Sequence, residues 1–216
     1  MALANYTDLL ASVAAWMNRT DLTAVIPDFV TIAEARISRD LRLRKQVVSS
    51  TLATVASTRG VALPSDWLEF ENVSLAITPE RQLSYATVEQ LDSVYPNNGG
   101  NSSPSLYTVE GDQILFGPTP DAIYTVNIYY YGRFAALATA STNWLMTNHP
   151  SVYLYACLMQ ACLYIKDATR AAEYKGLYDE VVSELQLQDD RAQHRDRKST
   201  RLNSSHIQKS RMPSSA

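Results

Sequence analysis

Residues 20–44 read TDLTAVIPDFVTIAEARISRDLRLR. Pro27 suits the first turn of a helix, and the apolar residues after it recur three or four positions apart, which places them on one helical face. Basic residues gather at the far end of the stretch, where the helix dipole favours positive charge. The stretch therefore predicts an amphipathic helix with a basic C-terminal end. Val30, Ala33, Ile37 and Leu41 would form its buried stripe, and Arg39, Arg42 and Lys45 would line a different face.

Helical periodicity returns near the other end of the chain, whereas the middle alternates with the period of two that is typical of strands. The sequence therefore predicts an α+β fold. Its segments would be an N-terminal helical hairpin over 1–46, an antiparallel β insertion with one short helix over 47–135, and a C-terminal hairpin over 136–195 that forms a bundle with the first. Start signals are Asn5 or Thr7 for the first helix, Thr87 with Gln90 for the short helix, and Pro150 and Asp167 for the last two.

Residues 196–216 read DRKSTRLNSSHIQKSRMPSSA. Two blocks of this segment resemble, in order, a translated sequencing-library adapter, with Ile207, Gln208 and Lys209 where a sample index would lie. We therefore predict that the segment is read-through and not native protein, and that the native C-terminus is missing or overwritten after about Arg195. The alternative is a genuine basic, serine-rich tail that binds nucleic acid or a membrane.

The charge balance depends on that segment. The full sequence carries 19 Lys and Arg residues against 22 Asp and Glu residues, a net charge of −3. Five of the basic residues and one of the acidic residues lie in 196–216, so 14 basic and 21 acidic residues remain without it, a net charge of −7. A protein of this acidity is not, as a whole, suited to bind nucleic acid non-specifically.

Motifs for catalysis, cofactors and metals are missing from the sequence. It contains no Walker loop, dinucleotide fingerprint, Gly-x-Ser-x-Gly motif or histidine pair at helical spacing. Cys157 and Cys162 lie five apart on different faces of a predicted helix, so we expect no disulfide between them. Asp66 with Glu69 and Glu71 is the one candidate acid–base set, and a solvated strand is the favoured explanation because exposed acidic residues are commonplace. We predict no catalytic residue, cofactor or bound metal.

Two oppositely charged groups are the strongest candidates for an interaction surface. The basic group, which lies between Arg36 and Lys45, could contact DNA phosphates, pair with acidic residues of a neighbouring subunit, or stay solvated or paired within its own chain. The acidic face of the last predicted helix could pair with this basic group on a neighbouring subunit. The chain also contains thirteen tyrosines, a residue type that is enriched at protein interfaces. The candidate subunit-interface residues are Arg36, Arg39, Arg42, Arg44, Lys45, Glu173, Glu180, Glu184, Tyr129 and Tyr131.

A series of short motifs runs through residues 5–193 in a fixed order. They are Tyr6-Thr7-Asp8-Leu9, Trp16-Met17-Asn18-Arg19, Pro27-Asp28-Phe29, Ala33-Glu34-Ala35-Arg36, Arg39-Asp40-Leu41-Arg42, Leu63-Pro64-Ser65-Asp66-Trp67, Tyr107-Thr108-Val109-Glu110-Gly111, Gly117-Pro118-Thr119-Pro120, Asn143-Trp144-Leu145-Met146, Tyr153-Leu154-Tyr155-Ala156 and Gln188-Asp189-Asp190-Arg191-Ala192. Each motif alone is weak, but the ordered series resembles the phage head–tail adaptor (connector) family of short-tailed phages.

This resemblance implies a structural virion protein and not an enzyme. Such adaptors form a ring, generally of twelve copies, beneath the portal of the DNA-filled head, where they support tail or nozzle proteins and extend the DNA channel. The implied partners are further copies of the chain, the portal, tail proteins and the passing phage DNA, with no membrane and no cofactor. The implied location is the head–tail junction of the virion, after assembly in the host bacterial cytoplasm. The alternatives are another neck or tail-completion protein and, in a different class, a virion-associated hydrolase.

Overall fold

A computed structural model of the chain describes residues 3–96 and 100–209, with side chains as far as residue 192. The described residues form two compact units: a helical unit that contains the residues up to Leu43 and those from Phe134 onwards, and a β unit, Arg44–Arg133. The elements in chain order are α1 (Tyr6–Met17), α2 (Ile26–Asp40), a 3₁₀ turn (Arg44–Gln46), β1 (Val47–Ala53), β2 (Gly60–Ala62), β3 (Trp67–Leu75), β4 (Arg81–Gln82), β5 (Ser84–Tyr85), α3 (Val88–Val94), β6 (Leu106–Glu110), β7 (Gln113–Gly117), β8 (Thr125–Gly132), α4 (Leu137–Ala140), α5 (Trp144–Asn148), α6 (Pro150–Tyr164) and α7 (Ala168–Lys209). The α+β prediction is confirmed.

Helix α6 is the centre of the helical unit. It packs against α1, α2, α5 and α7, and nine of its fifteen residues are buried. A helix that is apolar nearly all round has to be enclosed by others, and the sequence of α6 meets that requirement because only Gln160 interrupts its apolar run from Val152. Cys157 and Cys162 are both buried and free, as expected.

The helix starts are set by the side chains that the sequence indicates. Asn5 accepts the backbone N–H of Asp8 at 3.0 Å, Thr87 and Gln90 form the reciprocal capping box of α3, and Asp167 accepts the N–H of Arg170 at 3.1 Å. Pro150 lies in the first turn of α6. These side chains occupy N–H groups that have no partner inside the helix.

The end of α2 differs from the prediction. The helix stops at Asp40, and Leu41 is extended, with φ −109° and ψ 129°. Leu41 and Leu43 are both buried. Residues two positions apart lie on the same side of an extended chain but on different sides of a helix, so burying both side chains requires an extended backbone here. The prediction that Arg39, Arg42 and Lys45 share one helical face is therefore wrong.

The β unit contains two four-stranded sheets, with strand orders β1-β8-β3-β4 and β2-β7-β6-β5. Strands β1 and β2 are neighbours in sequence but belong to different sheets. The pairs within the first sheet are antiparallel, but β5 and β6 are parallel, so the insertion is not wholly antiparallel as predicted. The helix α3 connects β5 to β6, and parallel neighbours need such a crossover.

Alternate residues of the last strand, β8, contribute to the core of this unit. Val126, Ile128 and Tyr130 are buried, and they pack with residues of both sheets in one apolar cluster. The β6–β7 hairpin turns at Gly111, with a φ of 58° that favours glycine. Gly117 on β7 lies so close to Leu91 and Tyr95 that a side chain there would collide with them, and this allows α3 to pack closely.

Candidate interaction surfaces

Arg36 is a half-buried member of the predicted basic residues. Its guanidinium lies 5.0 Å from the ring centroid of Tyr178, and it pairs with Asp40 at 3.2 Å and with Asp179 at 3.8 Å. The Tyr178 hydroxyl also donates to Asp40 at 3.2 Å, and burial, with the carboxylate of Asp40 beside it, raises the pKa of this phenol. Arg36 therefore ties α2 to α7 within one chain.

Arg42 also has a local role, because its guanidinium donates to the carbonyl oxygens of Ser38 at 2.7 Å and Leu41 at 2.8 Å. These bonds occupy carbonyls that have no partner at the end of α2. Arg44 and Lys45 are exposed in the 3₁₀ turn of the β unit. The five basic residues are thus divided between two units and do not form one cluster on one helix.

Arg39 is the predicted basic residue on α2 that is exposed. Within the part of the chain that the structure describes, its guanidinium has no ion-pair or hydrogen-bond partner. The structure thus separates Arg36, which is used inside the fold, from Arg39, which is available to another molecule.

The acidic candidates lie together on α7. Glu173, Glu180 and Glu184 are separated by seven and four residues, which places them on one face of the helix, and all three are exposed. Their carboxylates have no partner among the residues that the structure describes. This face is therefore an unneutralised acidic surface.

The two tyrosine candidates lie on the outer face of the first sheet. Tyr129 is 41% exposed and stands between Ser49 of β1 and Asn72 of β3. Tyr131 is half-buried and pairs in register with Val47 and Glu69. The structure thus places these tyrosines in the β unit and the charged helical faces in the helical unit.

Exposed apolar residues beside the charges were missed by the sequence reasoning. Ile32 on α2 is 48% exposed and Leu187 on α7 is 53% exposed. Leu177, also on α7, is 40% exposed. A signal for Ile32 was present, because it falls opposite the buried stripe Val30, Ala33 and Ile37.

The candidate acid–base set has a structural explanation. Asp66 accepts the hydroxyl of Tyr130 at 3.0 Å, and burial with this hydrogen bond raises the pKa of Tyr130 to about 12. Glu69 and Glu71 are exposed on β3. Burial also raises the pKa of the Cys157 thiol, which disfavours the reactive thiolate.

Among residues 3–96 and 100–192, whose side chains the structure describes, no group of three or more His, Cys, Asp or Glu side chains is arranged to hold a metal ion. None of the helices that the structure describes combines the length and apolar character needed to cross a membrane.

Comparison with known families gives the class of protein to which this chain belongs. The family model described as SU10 adaptor protein matches residues 4–203. The chain therefore belongs to this phage head–tail adaptor family, which confirms the resemblance of its motifs. Among curated proteins, no significant match is found.

The match reaches residue 203 and so enters the segment that we predict to be adapter read-through. The backbone of residues 196–209 continues α7, and residues 210–216 lie outside the described residues. The read-through assignment stays a prediction.

Proposed function

We propose that this phage adaptor is a structural component of the virion that forms a ring under the portal, joins the DNA-filled head to the tail, and extends the DNA channel. Its partners would be further copies of itself, twelve in the ring, together with the portal and the tail or nozzle proteins. Membership of the adaptor family carries this proposal. The proposed place of action is the head–tail junction, after assembly in the host cytoplasm.

The surface of the helical unit supports assembly with other proteins. Arg39 on α2 and three glutamates on α7 are exposed and have no partner within the described part of the chain. Opposite charges on separate helices give the complementarity that steers two protein surfaces together. Both α2 and α7 thus carry charge that their own fold does not use.

The acidic balance of residues 1–195 supports a channel that DNA passes without being held. Like charges repel, and the repulsion between DNA phosphates and an excess of carboxylates weakens adhesion. In this proposal the basic residues serve protein contacts, and proximity to DNA is non-specific.

Electron microscopy and mass photometry test the proposal with the chain alone and with its own portal. We expect monomers or weak rings for the chain alone, and a ring coaxial with the portal in the mixture. Adaptors of this family often reach the portal with their C-terminal segment, and we predict that residues 196–216 of this chain are not native. A missing portal contact could therefore prevent a ring from forming on the portal. For this reason the chain is also examined alone at high concentration and low salt. Monomers in all of these samples would contradict the ring.

A further inference from the structure

The exposed face of α2 is a four-residue stripe with a regular spacing. Its members lie four, three and four residues apart, so they follow one side of the helix. All four are exposed, and Ile32, the larger of the two apolar members, has about half of its surface in solvent. The α2 stripe consists of Asp28, Ile32, Ala35 and Arg39.

A second stripe with the same spacing lies on α7. Its members are again exposed, and its ionic groups, like those of the α2 stripe, have no partner among the residues that the structure describes. An apolar residue, Leu187, interrupts the charges. The α7 stripe consists of Glu180, Glu184, Leu187 and Arg191.

The two stripes complement each other when the helices run antiparallel. Each stripe has spacings of four, three and four, so one reversed stripe matches the other residue for residue over about 16 Å. We propose that α2 of one copy docks antiparallel on α7 of a second copy of this chain. The pairs in this register are Asp28 with Arg191, Ile32 with Leu187, Ala35 with Glu184, and Arg39 with Glu180.

The charges select this direction over the parallel one. In the antiparallel register both ends of the contact join opposite charges, and the two exposed aliphatic side chains meet between them. A parallel contact over the same eight residues would place Asp28 against Glu180 and Arg39 against Arg191. Like charges in contact are unfavourable at both ends, so the parallel arrangement is disfavoured.

The contact is weak by itself, which agrees with assembly on a template. Exposed ion pairs each contribute about 0.2–1 kcal/mol, and one aliphatic pair buries little surface. The antiparallel contact between two copies does not depend on the proposed ring. Only the number of copies that the contact joins rests on that proposal. A ring uses the α2 stripe of each copy with the α7 stripe of the next, whereas a closed dimer would use both contacts reciprocally.

Cysteine cross-linking between two single variants tests the register. Chains with Ile32→Cys and chains with Leu187→Cys are mixed at low salt, with their own portal present, and treated with a short bismaleimide. The native Cys157 and Cys162 are buried, so we expect the new thiols to react. A covalent dimer should form in the mixture, and it can come only from two different copies.

The matched control replaces Leu187→Cys by Glu173→Cys, which moves the thiol about 21 Å along α7 to an exposed position outside both stripes. We expect at least fivefold less dimer with this control. Equal yields for the two mixtures, or no dimer in a sample that contains rings, would overturn the inference and leave the proposed ring intact. Dimers without rings would support the inference and contradict the ring.

A charge exchange supplies an independent test. Arg39→Glu or Glu180→Arg alone should raise the concentration at half assembly about tenfold, since each turns an attraction into a repulsion. The double variant should recover most of that loss. Lys166→Glu is the control, because Lys166 is exposed in the same unit but outside both stripes. A double variant as defective as the singles, or an equal loss with Lys166→Glu, would contradict the pairing.

Discussion

The helical unit and the β unit present different kinds of surface to other proteins. Within a helix the main-chain groups bond to each other, so a partner must recognise side chains, and the α2 and α7 stripes offer charge for that purpose. In the first sheet, β1 is an edge strand of seven residues, VVSSTLA, without a charge or a proline. A partner there could pair with the main chain itself. One chain thus carries exposed charges on its helices and an uncharged strand at the edge of a sheet.

The largest expected effect concerns the two cores, which belong to different units. Leu158→Ala removes a fully buried side chain of α6, and Ile128→Ala removes one of β8. Each substitution should lower the free energy of unfolding of its own unit by about 2–5 kcal/mol. Differential scanning calorimetry should show two transitions, of which each variant shifts a different one. A single transition that both variants lower equally would show that the units unfold together.

A smaller effect separates the two arginines of α2. Arg36→Ala removes the contact with the Tyr178 ring and the pairs with Asp40 and Asp179, and we expect a loss of about 1–2 kcal/mol in unfolding free energy. Arg39→Ala should change that free energy by less than about 0.5 kcal/mol, because the side chain is exposed. Urea unfolding measures both. Similar losses for the two variants would contradict the division between an internal and an external arginine.

This pair also shows the limit of the sequence reasoning. Arg36 and Arg39 both lie in the basic stretch of α2, and the local sequence distinguishes them only by Asp40, which lies four residues after Arg36 and pairs with it. The larger difference arises from α7, about 140 residues further along the chain, whose Tyr178 and Asp179 contact Arg36. A local pattern identifies an amphipathic helix, but it does not identify which polar residues a distant helix will cover.

Local signals were sufficient where a side chain acts on its own turn. Asn5, Thr87 and Asp167 start their helices as predicted, because a cap requires only residues three or four positions away. The end of α2 could have been read from the alternation of Leu41 and Leu43. In contrast, the separation of β1 from β2 depends on their partners β8 and β7, and strand partners distant in sequence leave no local signal.

The uncharged edge of the β unit gives a third prediction. Thr51→Lys places a charge on β1, and charged edge residues prevent unwanted strand pairing. We expect light scattering of a concentrated, warmed sample to rise severalfold more slowly, with cross-linking of the two helical stripes unchanged. Thr125→Lys is the matched control, since Thr125 is exposed on β8, which has strands on both sides. Equal protection by both lysines would indicate a net-charge effect and would argue against edge pairing.

The smallest effect concerns Glu34, whose carboxylate accepts the N–H of Leu137 at 2.7 Å where α4 begins. Burial raises the pKa of Glu34, although this hydrogen bond opposes the shift. A carboxyl whose pKa is raised in the folded state stabilises the fold below its unfolded pKa, and this contribution is lost as pH rises through the folded value.

Glu34→Gln keeps an acceptor oxygen without the charge. The variant should therefore gain stability relative to the parent between pH 4 and pH 7, by less than about 1 kcal/mol, in urea unfolding at both pH values. Glu173→Gln, at an exposed position of α7, should show no such gain. A Glu34→Gln variant that loses stability at pH 7 would show that the ionised hydrogen bond outweighs the cost of burying the carboxylate.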